Sequence, residues 1–185
     1  MNERLVESVD YILDSIEHSF SKLNCESIED AVDLITSANN VFVYGSGRSG
    51  LVGRTFAMRL MQIGLNSFFI GETITPAVKE GDCVFFVSKT GETQTAIQAA
   101  EIVDQRVKGA ETIVLTATPE STLADLGDVV ITLEGFDSDK NKTLAPLGTI
   151  FEDTAMIFLD GLIAVLMDEL GETEEDMKVR HPILI

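Results

Sequence analysis

Basic residues are scarce in this chain. Its 13 Lys and Arg stand against 31 Asp and Glu, a formal net charge of −18. Binding nucleic acid takes a basic face to neutralise phosphates, so this balance excludes nucleic acid as a partner. Cysteine is equally thin. Cys25 and Cys83 form no CxxC pair, and Cys83 falls in an apolar stretch where a small buried hydrophobe is expected. His18 and His181 stand far apart with no ligand spacing around either, so no structural metal is predicted. No apolar run reaches the roughly 18 residues of a transmembrane helix. The richest run, Met156 to Met167, is broken by Asp160 and Gly161 and reads as a buried helix. The N-terminus carries acidic residues where a signal peptide starts basic. The expectation is a cytoplasmic protein with no membrane contact. At 185 residues it is large enough to bury one substantial core.

What is present is organised around Val41-Phe42-Val43-Tyr44-Gly45-Ser46-Gly47-Arg48-Ser49-Gly50. A β-forming run enters a Gly/Ser loop, and a helical pattern over 51–63 follows. Strand, small-residue loop and helix start make an anion site, because the helix offers unpaired N–H groups and glycines admit a phosphate close to the backbone. A second stretch repeats the design. Strand residues 82–87 run into Ser88-Lys89-Thr90-Gly91-Glu92-Thr93 and then into a helical pattern. An anionic ligand meets a repulsive overall field here, so the site has to be locally positive, through helix N-termini and Arg48 or Lys89.

The remaining chain alternates strands and helices. Residues 1–23 read as an amphipathic helix with Leu5, Val9, Ile12, Leu13, Ile16 and Phe20 at spacings of three and four. A second helix covers Ser27 to Ala38, with Ser27 and Asp30 as cap-like residues. Strands are predicted at Val41–Tyr44, Ser67–Ile70, Cys83–Val87, Thr112–Thr116 and Val129–Leu133. Helices fall at 51–63, at about Thr93–Val107 and near Ser121–Leu126. Gly64 serves as a C-cap glycine. A polar loop, Glu134 to Lys142, precedes a last helix from Thr149 to the residue before Gly171, and a tail runs over 172–185. This pattern predicts an α/β three-layer sandwich on a five-stranded parallel sheet of flavodoxin-like order. In such sheets ligands bind beyond the carboxyl ends of the strands, at the switch point, and both Ser/Gly loops leave from there.

Gly45 to Gly50 also satisfies GxGxxG, and Glu72 lies about where a dinucleotide fold puts its ribose-binding acid. Two features count against NAD. The chain leaves little room for a separate catalytic domain, and a second Ser/Thr loop has no task around a dinucleotide. Hydroxyls at Ser46, Ser49, Ser88, Thr90 and Thr93 suit an anion with several acceptor oxygens. Against this stands the bland reading that small residues merely permit tight strand–helix turns.

With GSGRSG at 45–50, IGETITPA at 70–77, VSKTGET at 87–93, LAPLGTIFE at 144–152 and Arg180-His181, the sequence resembles the sugar isomerase (SIS) family over nearly its whole length. The first and third of these motifs are shared by SIS proteins generally, whereas GETITP, PLGTIFE and the late Arg180-His181 are similar to the 6-phospho-3-hexuloisomerase group of archaeal type. Lys89 and Thr90 depart from the Gly and Ser usual there, and the ending Pro182-Ile183-Leu184-Ile185 is less polar than the group's. The resemblance implies a single SIS domain over 1–185. It also implies interconversion of D-arabino-hex-3-ulose 6-phosphate and D-fructose 6-phosphate by proton transfer through an enediol, with no metal or redox cofactor. It makes Glu152 the base and His181, from a neighbouring subunit, an assisting acid/base. It assigns Gly45, Ser46, Gly47, Arg48, Ser49, Glu72, Ser88, Lys89, Thr90, Gly91 and Thr93 to sugar-phosphate binding. Another SIS sugar-phosphate isomerase, or a non-catalytic phosphosugar-binding module, stays open beside it.

Local pattern offers other roles for several of these residues. Thr149-Ile150-Phe151-Glu152 matches the S/T-x-x-E capping box, which would favour a charged Glu152 of low pKa. Arg48 can bind substrate or pair with an acid, and Glu72 can bind hydroxyls or cap the turn before Pro76. A carboxylate at Glu92 repels a phosphate and is expected to point away, toward another subunit or an Arg. The apolar face of the first helix and the small residues of helix 51–63 suggest self-association, and the resemblance suggests a homotetramer.

Overall fold

The computed structural model describes residues 2–136 and 138–183; Met1, Asp137, Leu184 and Ile185, which fall in the predicted first helix, polar loop and tail, lie outside them. Five short runs form the sheet: β1 (Val41–Gly45), β2 (Ser67–Phe69), β3 (Cys83–Val87), β4 (Glu111–Thr116) and β5 (Val129–Thr132). All pair in parallel in the order β2-β1-β3-β4-β5, the flavodoxin-like order read from the sequence. Successive side chains of a strand face opposite sides. Val41, Val43, Phe85 and Val87 therefore join one core with α2 (Cys25–Ser37), α3 (Gly47–Gln62) and α6 (Thr149–Leu170). Phe42, Val84 and Phe86 join the other with α4 (Gln94–Arg106) and a 3-10 turn at Ala124–Leu126. Burial on both faces is why these strands read as unbroken apolar runs.

The first helix, α1 (Asn2–Phe20), docks on α6 and on a single helical turn, α5 (Asn141–Leu144). Tyr11 donates to Asn141 Oδ1 at 2.7 Å, and Arg4 donates to the Thr143 carbonyl at 3.0 Å. Ile16 is buried there, but Leu5, Val9 and Leu13 remain 65%, 44% and 55% exposed. The amphipathic stripe is thus only partly spent within the subunit. The Gly53 and Ala57 face of α3 is spent within the chain. Ala57 is buried, and a Cβ on Gly53 would lie 3.1 Å from Val43 Cγ1 and 3.3 Å from the Phe69 ring. That face packs on the chain's own sheet, which corrects the expectation that it serves self-association.

Other boundaries shift for local reasons. Asn24, not Ser27, caps α2, its side chain accepting from the Glu26 N–H at 3.0 Å. The 172–185 tail contains α7 (Glu174–Arg180), started by a Thr173–Asp176 capping box. The shift that matters most is in α3. It begins at Gly47, four residues ahead of the predicted start, so Gly47-Arg48-Ser49-Gly50 form its first turn. The backbone there is tight: a Cβ on Gly50 would sit 2.6 Å from the Gly45 carbonyl oxygen. We expect Gly50→Ala to cost about 1–3 kcal/mol, the range for forcing a methyl into packed structure. A thermal melt should show Tm lowered by several degrees, and an unchanged Tm would contradict so close an approach.

Candidate active site

The site is built where β1 and β3 end. β1 passes almost directly into α3, β3 reaches α4 through Ser88–Thr93, and neither helix start is capped by a side chain. Ser46 is the N-cap of α3 and Thr93 that of α4, and neither hydroxyl bonds its own helix. The first N–H groups of both helices are therefore left for another acceptor. The hydroxyls meet each other across the gap instead. Ser46 Oγ lies 3.3 Å from Thr95 Oγ1, and Ser88 Oγ lies 3.3 Å from Thr93 Oγ1. Two positive helix ends and four hydroxyls thus lie close together in an acidic protein, an arrangement suited to an anion with several oxygens.

The loop between Ser88 and Thr93 is held by its backbone. The Ser88 N–H donates to the Leu115 carbonyl at 3.0 Å, and the Lys89 carbonyl accepts from the Ala117 N–H at 3.0 Å and from Thr116 Oγ1 at 3.2 Å. Gly91 turns at φ 63, a left-handed conformation that favours glycine. Thr90 Oγ1 accepts from the Glu92 N–H at 3.2 Å. Glu92 points away from the loop, as expected of a carboxylate there. Its partner within the chain is Thr122 and not an Arg: it accepts from the Thr122 N–H at 2.8 Å and the Thr122 hydroxyl at 2.9 Å. The loop is thereby buttressed from behind.

Glu152 closes the corner from the third side. It stands in the first turn of α6, 8% exposed, and accepts from Ser49 Oγ at 3.3 Å. Arg48 Nε is 3.6 Å from Glu152 Oε2, while Arg48 Nη2 donates to Asp153 Oδ1 at 3.2 Å. Oε2 is buried and has no hydrogen-bond partner among the described residues. The predicted capping box is not formed. Gly148, not Thr149, is the N-cap, which puts Glu152 one residue beyond the box position, and Thr149 Oγ1 donates back to the Pro146 carbonyl at 2.7 Å. The carboxylate folds over Gly148 so closely that any Cβ there would collide with its oxygens. Leu147 precedes it at φ 59, 93% exposed, and its carbonyl accepts from Lys89 Nζ at 3.3 Å. Lys89 therefore ties the second loop to the turn that carries Glu152.

Burial raises the Glu152 pKa above the ordinary carboxylate value. The Arg48 guanidinium, the Ser49 hydroxyl, the residue's own N–H and Lys89 pull it down, and burial prevails. A carboxyl of raised pKa, with one bare oxygen beside a shallow cleft of about 310 Å³ lined by Arg48, Leu51 and Asp153, is suited to accept a proton.

The two remaining sequence candidates lie elsewhere in the subunit. Glu72 forms an ion pair with Arg54, whose guanidinium also lies 4.1 Å over the Phe69 ring. His181 follows α7 and is exposed, with Nδ1 3.0 Å from the Pro182 carbonyl oxygen. Arg180 beside it contacts Gln62, the last residue of α3, whereas Ser49 at the other end contacts Glu152. Thirteen residues of helix separate those contacts, about 20 Å at ~1.5 Å per residue. His181 does not meet the Glu152 of its own chain. Thr95, Asp153 and the Leu147 carbonyl belong to the site and were not singled out from the sequence. Thr95 continues the Ser/Thr run of the second loop and Asp153 adjoins Glu152, so both were within reach. Nothing in the sequence marks Leu147 for a positive φ.

Ionising Glu152 works against folding. Its folded pKa lies above the unfolded one, so its contribution to stability is complete below the unfolded value of 4.5 and is lost as pH rises through the folded value. Glu152→Gln should accordingly raise Tm at neutral pH, by about 1–3 °C, and the gap should close in acid. A variant that melts lower than the parent at pH 7 would mean that Arg48 and Ser49 outweigh desolvation.

Residues 34–137 match the SIS domain family. The 3-hexulose-6-phosphate isomerase of Bacillus subtilis is 36% identical over 184 residues, covering 96% of this chain and 97% of its own. The protein of that name from Methylomonas aminofaciens is 37% identical, covering 84% and 87%. A crystal structure from Methanococcus jannaschii, described as inferring a molecular function of 3-hexulose-6-phosphate isomerase, superposes with a TM-score of 0.86 at 32% identity over 97% of this chain and 99% of that one. In its fold, in the match over its strand–loop–helix core and in relatives spanning its full length, this chain belongs to the SIS domain family.

Proposed function

We propose that the protein is a 6-phospho-3-hexuloisomerase, interconverting D-arabino-hex-3-ulose 6-phosphate and D-fructose 6-phosphate. The observation that carries this reading is a buried carboxyl of raised pKa, Glu152, fixed beside a corner where the uncapped starts of α3 and α4 converge. The full-length similarity to proteins named 3-hexulose-6-phosphate isomerase supports the choice of substrate.

The phosphate binds the free amides of the two helix starts and the hydroxyls of Ser46, Ser88 and Thr93, with Thr90 and Gly91 shaping the loop and Lys89 adding charge. Gly45 and Gly47 admit it close to the backbone. That clamp sets the reacting carbons against Glu152. The carboxylate takes the proton from C2, the C3 carbonyl oxygen gains a proton, and a C2–C3 enediol forms. The same carboxyl returns its proton to C3 while the O2 hydroxyl loses one. C2 ends as the carbonyl and C3 as the alcohol, so atoms and electrons balance within the sugar. Arg48 and Ser49 hold the base in place and limit how far its pKa climbs.

His181 of a neighbouring subunit handles the protons on the two oxygens. Arg180, next to His181, touches the end of α3 opposite the one that touches Glu152, about 20 Å along the helix, and this supports that division between subunits, as does the exposed apolar stripe of α1. A homotetramer, each subunit a single SIS domain working in the cytoplasm, is the assembly we propose. Glu72 acts on the sugar only after exchanging Arg54 for a hydroxyl.

Purified protein should convert the hexulose phosphate to fructose 6-phosphate. Glu152→Gln should lower kcat by about 10²–10⁴-fold, the usual share of a general base, while fructose 6-phosphate still binds. Removing the neighbouring charge with Arg48→Met should move the acidic limb of the kcat/KM profile to higher pH. Binding without turnover in the unaltered protein would favour a phosphosugar-binding module instead.

A further inference from the structure

We infer that Arg180 is a positioning residue, whose guanidinium clamps the end of α7 onto the ends of α3 and α6 and so fixes where the adjacent His181 is presented to the neighbouring subunit. This rests on the reading that His181 serves another subunit's site.

The clamp is a closed one. Arg180 Nη1 and Nη2 donate to the two oxygens of Glu172 at 2.6 and 2.9 Å, the forked geometry that a guanidinium makes with a carboxylate. Nη1 also donates to the Gln62 carbonyl at 3.1 Å. Gln62 is the last residue of α3, and Glu172 directly follows Gly171, the C-cap of α6. The guanidinium lies against Gly64, where a Cβ would come within 3.1 Å of its carbon. One side chain thus joins the ends of α3, α6 and α7. With its fork engaged by Glu172 and Gln62, Arg180 has its best donors committed within the subunit. Substrate recognition is therefore not its task.

The helix that carries His181 has few other ties. α7 is seven residues long, too short to persist on propensity, and only Met177 within it is buried. Its capping box secures the opposite end, at Thr173. Beyond Arg180 the imidazole is exposed, and among the described residues its hydrogen-bond contact is with the carbonyl of the next residue. Loosening the clamp should let the imidazole wander while Met177 and the capping box keep the subunit folded. A misplacement near 1 Å suffices to cost a reaction about 10²-fold. Lys keeps the charge but not the fork, so it is the informative replacement.

The test measures kcat and KM for the hexulose phosphate in Arg180→Lys, Glu172→Gln, His181→Ala and the Arg180→Lys/His181→Ala double variant, with Tm and circular dichroism on each. Arg180→Lys and Glu172→Gln should each lower kcat by about 10- to 100-fold with KM within about 2-fold. In the His181→Ala background Arg180→Lys should have no further effect, because the group it positions is gone. Losses that multiply in the double variant, or full activity of Arg180→Lys and Glu172→Gln where His181→Ala is impaired, would overturn the positioning role. Full activity of His181→Ala would overturn the part given to His181 itself, and the role of Arg180 with it, while leaving Glu152 untouched. If Arg180→Lys does not fold, Glu172→Gln decides the matter by the same comparison.

Discussion

The register of β1 against β3 sets everything above it. Gly45 lies level with Val87, so the two strands end at the same height, and the Ser46–Thr95 contact shows the starts of α3 and α4 close together. Each helix brings amides that no side chain of its own satisfies, and together they concentrate partial positive charge in a chain of net charge −18. The fold thereby solves a problem its composition creates. A long-range field of that sign repels a phosphate, and only a short-range, directional array of N–H groups can offset it.

A second tension sits beside the first. Glu152 is drawn into a buried corner by packing of α6 on α3, yet its carboxylate is left with one unpartnered oxygen. Arg48 is close enough to attract it and too far to hydrogen-bond Oε2. Full pairing would lower the pKa and weaken the base; no pairing would leave an expensive buried charge. The observed arrangement lies between those limits. Such under-satisfied polar groups are where functional sites part company with stability. The Pro146-Leu147-Gly148 turn shows the same trade, with a leucine at positive φ supporting the segment from which Glu152 projects.

Much of the fold was legible because its signals are local and redundant. The apolar runs at Val41–Val43 and Cys83–Val87, flanked by small-residue loops, dictate buried parallel strands, and their order follows from where the loops must meet. The starts of helices were harder. Gly47 to Gly50 contain two glycines and a serine, residues of poor helix propensity, and are helical only because the strand delivers them onto the sheet. The capping-box pattern at Thr149 misled for a related reason. Spacing alone cannot tell that Thr149 is already the first helical residue and that the cap is Gly148, over which the Glu152 carboxylate folds. Contacts such as Glu92 with Thr122 and Lys89 with the Leu147 carbonyl join distant segments and have no local signature. The separation of His181 from Glu152 is likewise a tertiary fact, fixed by which end of α3 each one touches.

The account stands on one site shared by the two crossover loops and the start of α6. The most direct measurement is a crystal structure with fructose 6-phosphate bound. Phosphorus within hydrogen-bonding reach of the amides that open α3 and α4, with C2 and C3 facing the Glu152 carboxyl, is the predicted result. A phosphate held elsewhere, with both loops unoccupied and Glu152 away from the sugar, would contradict it.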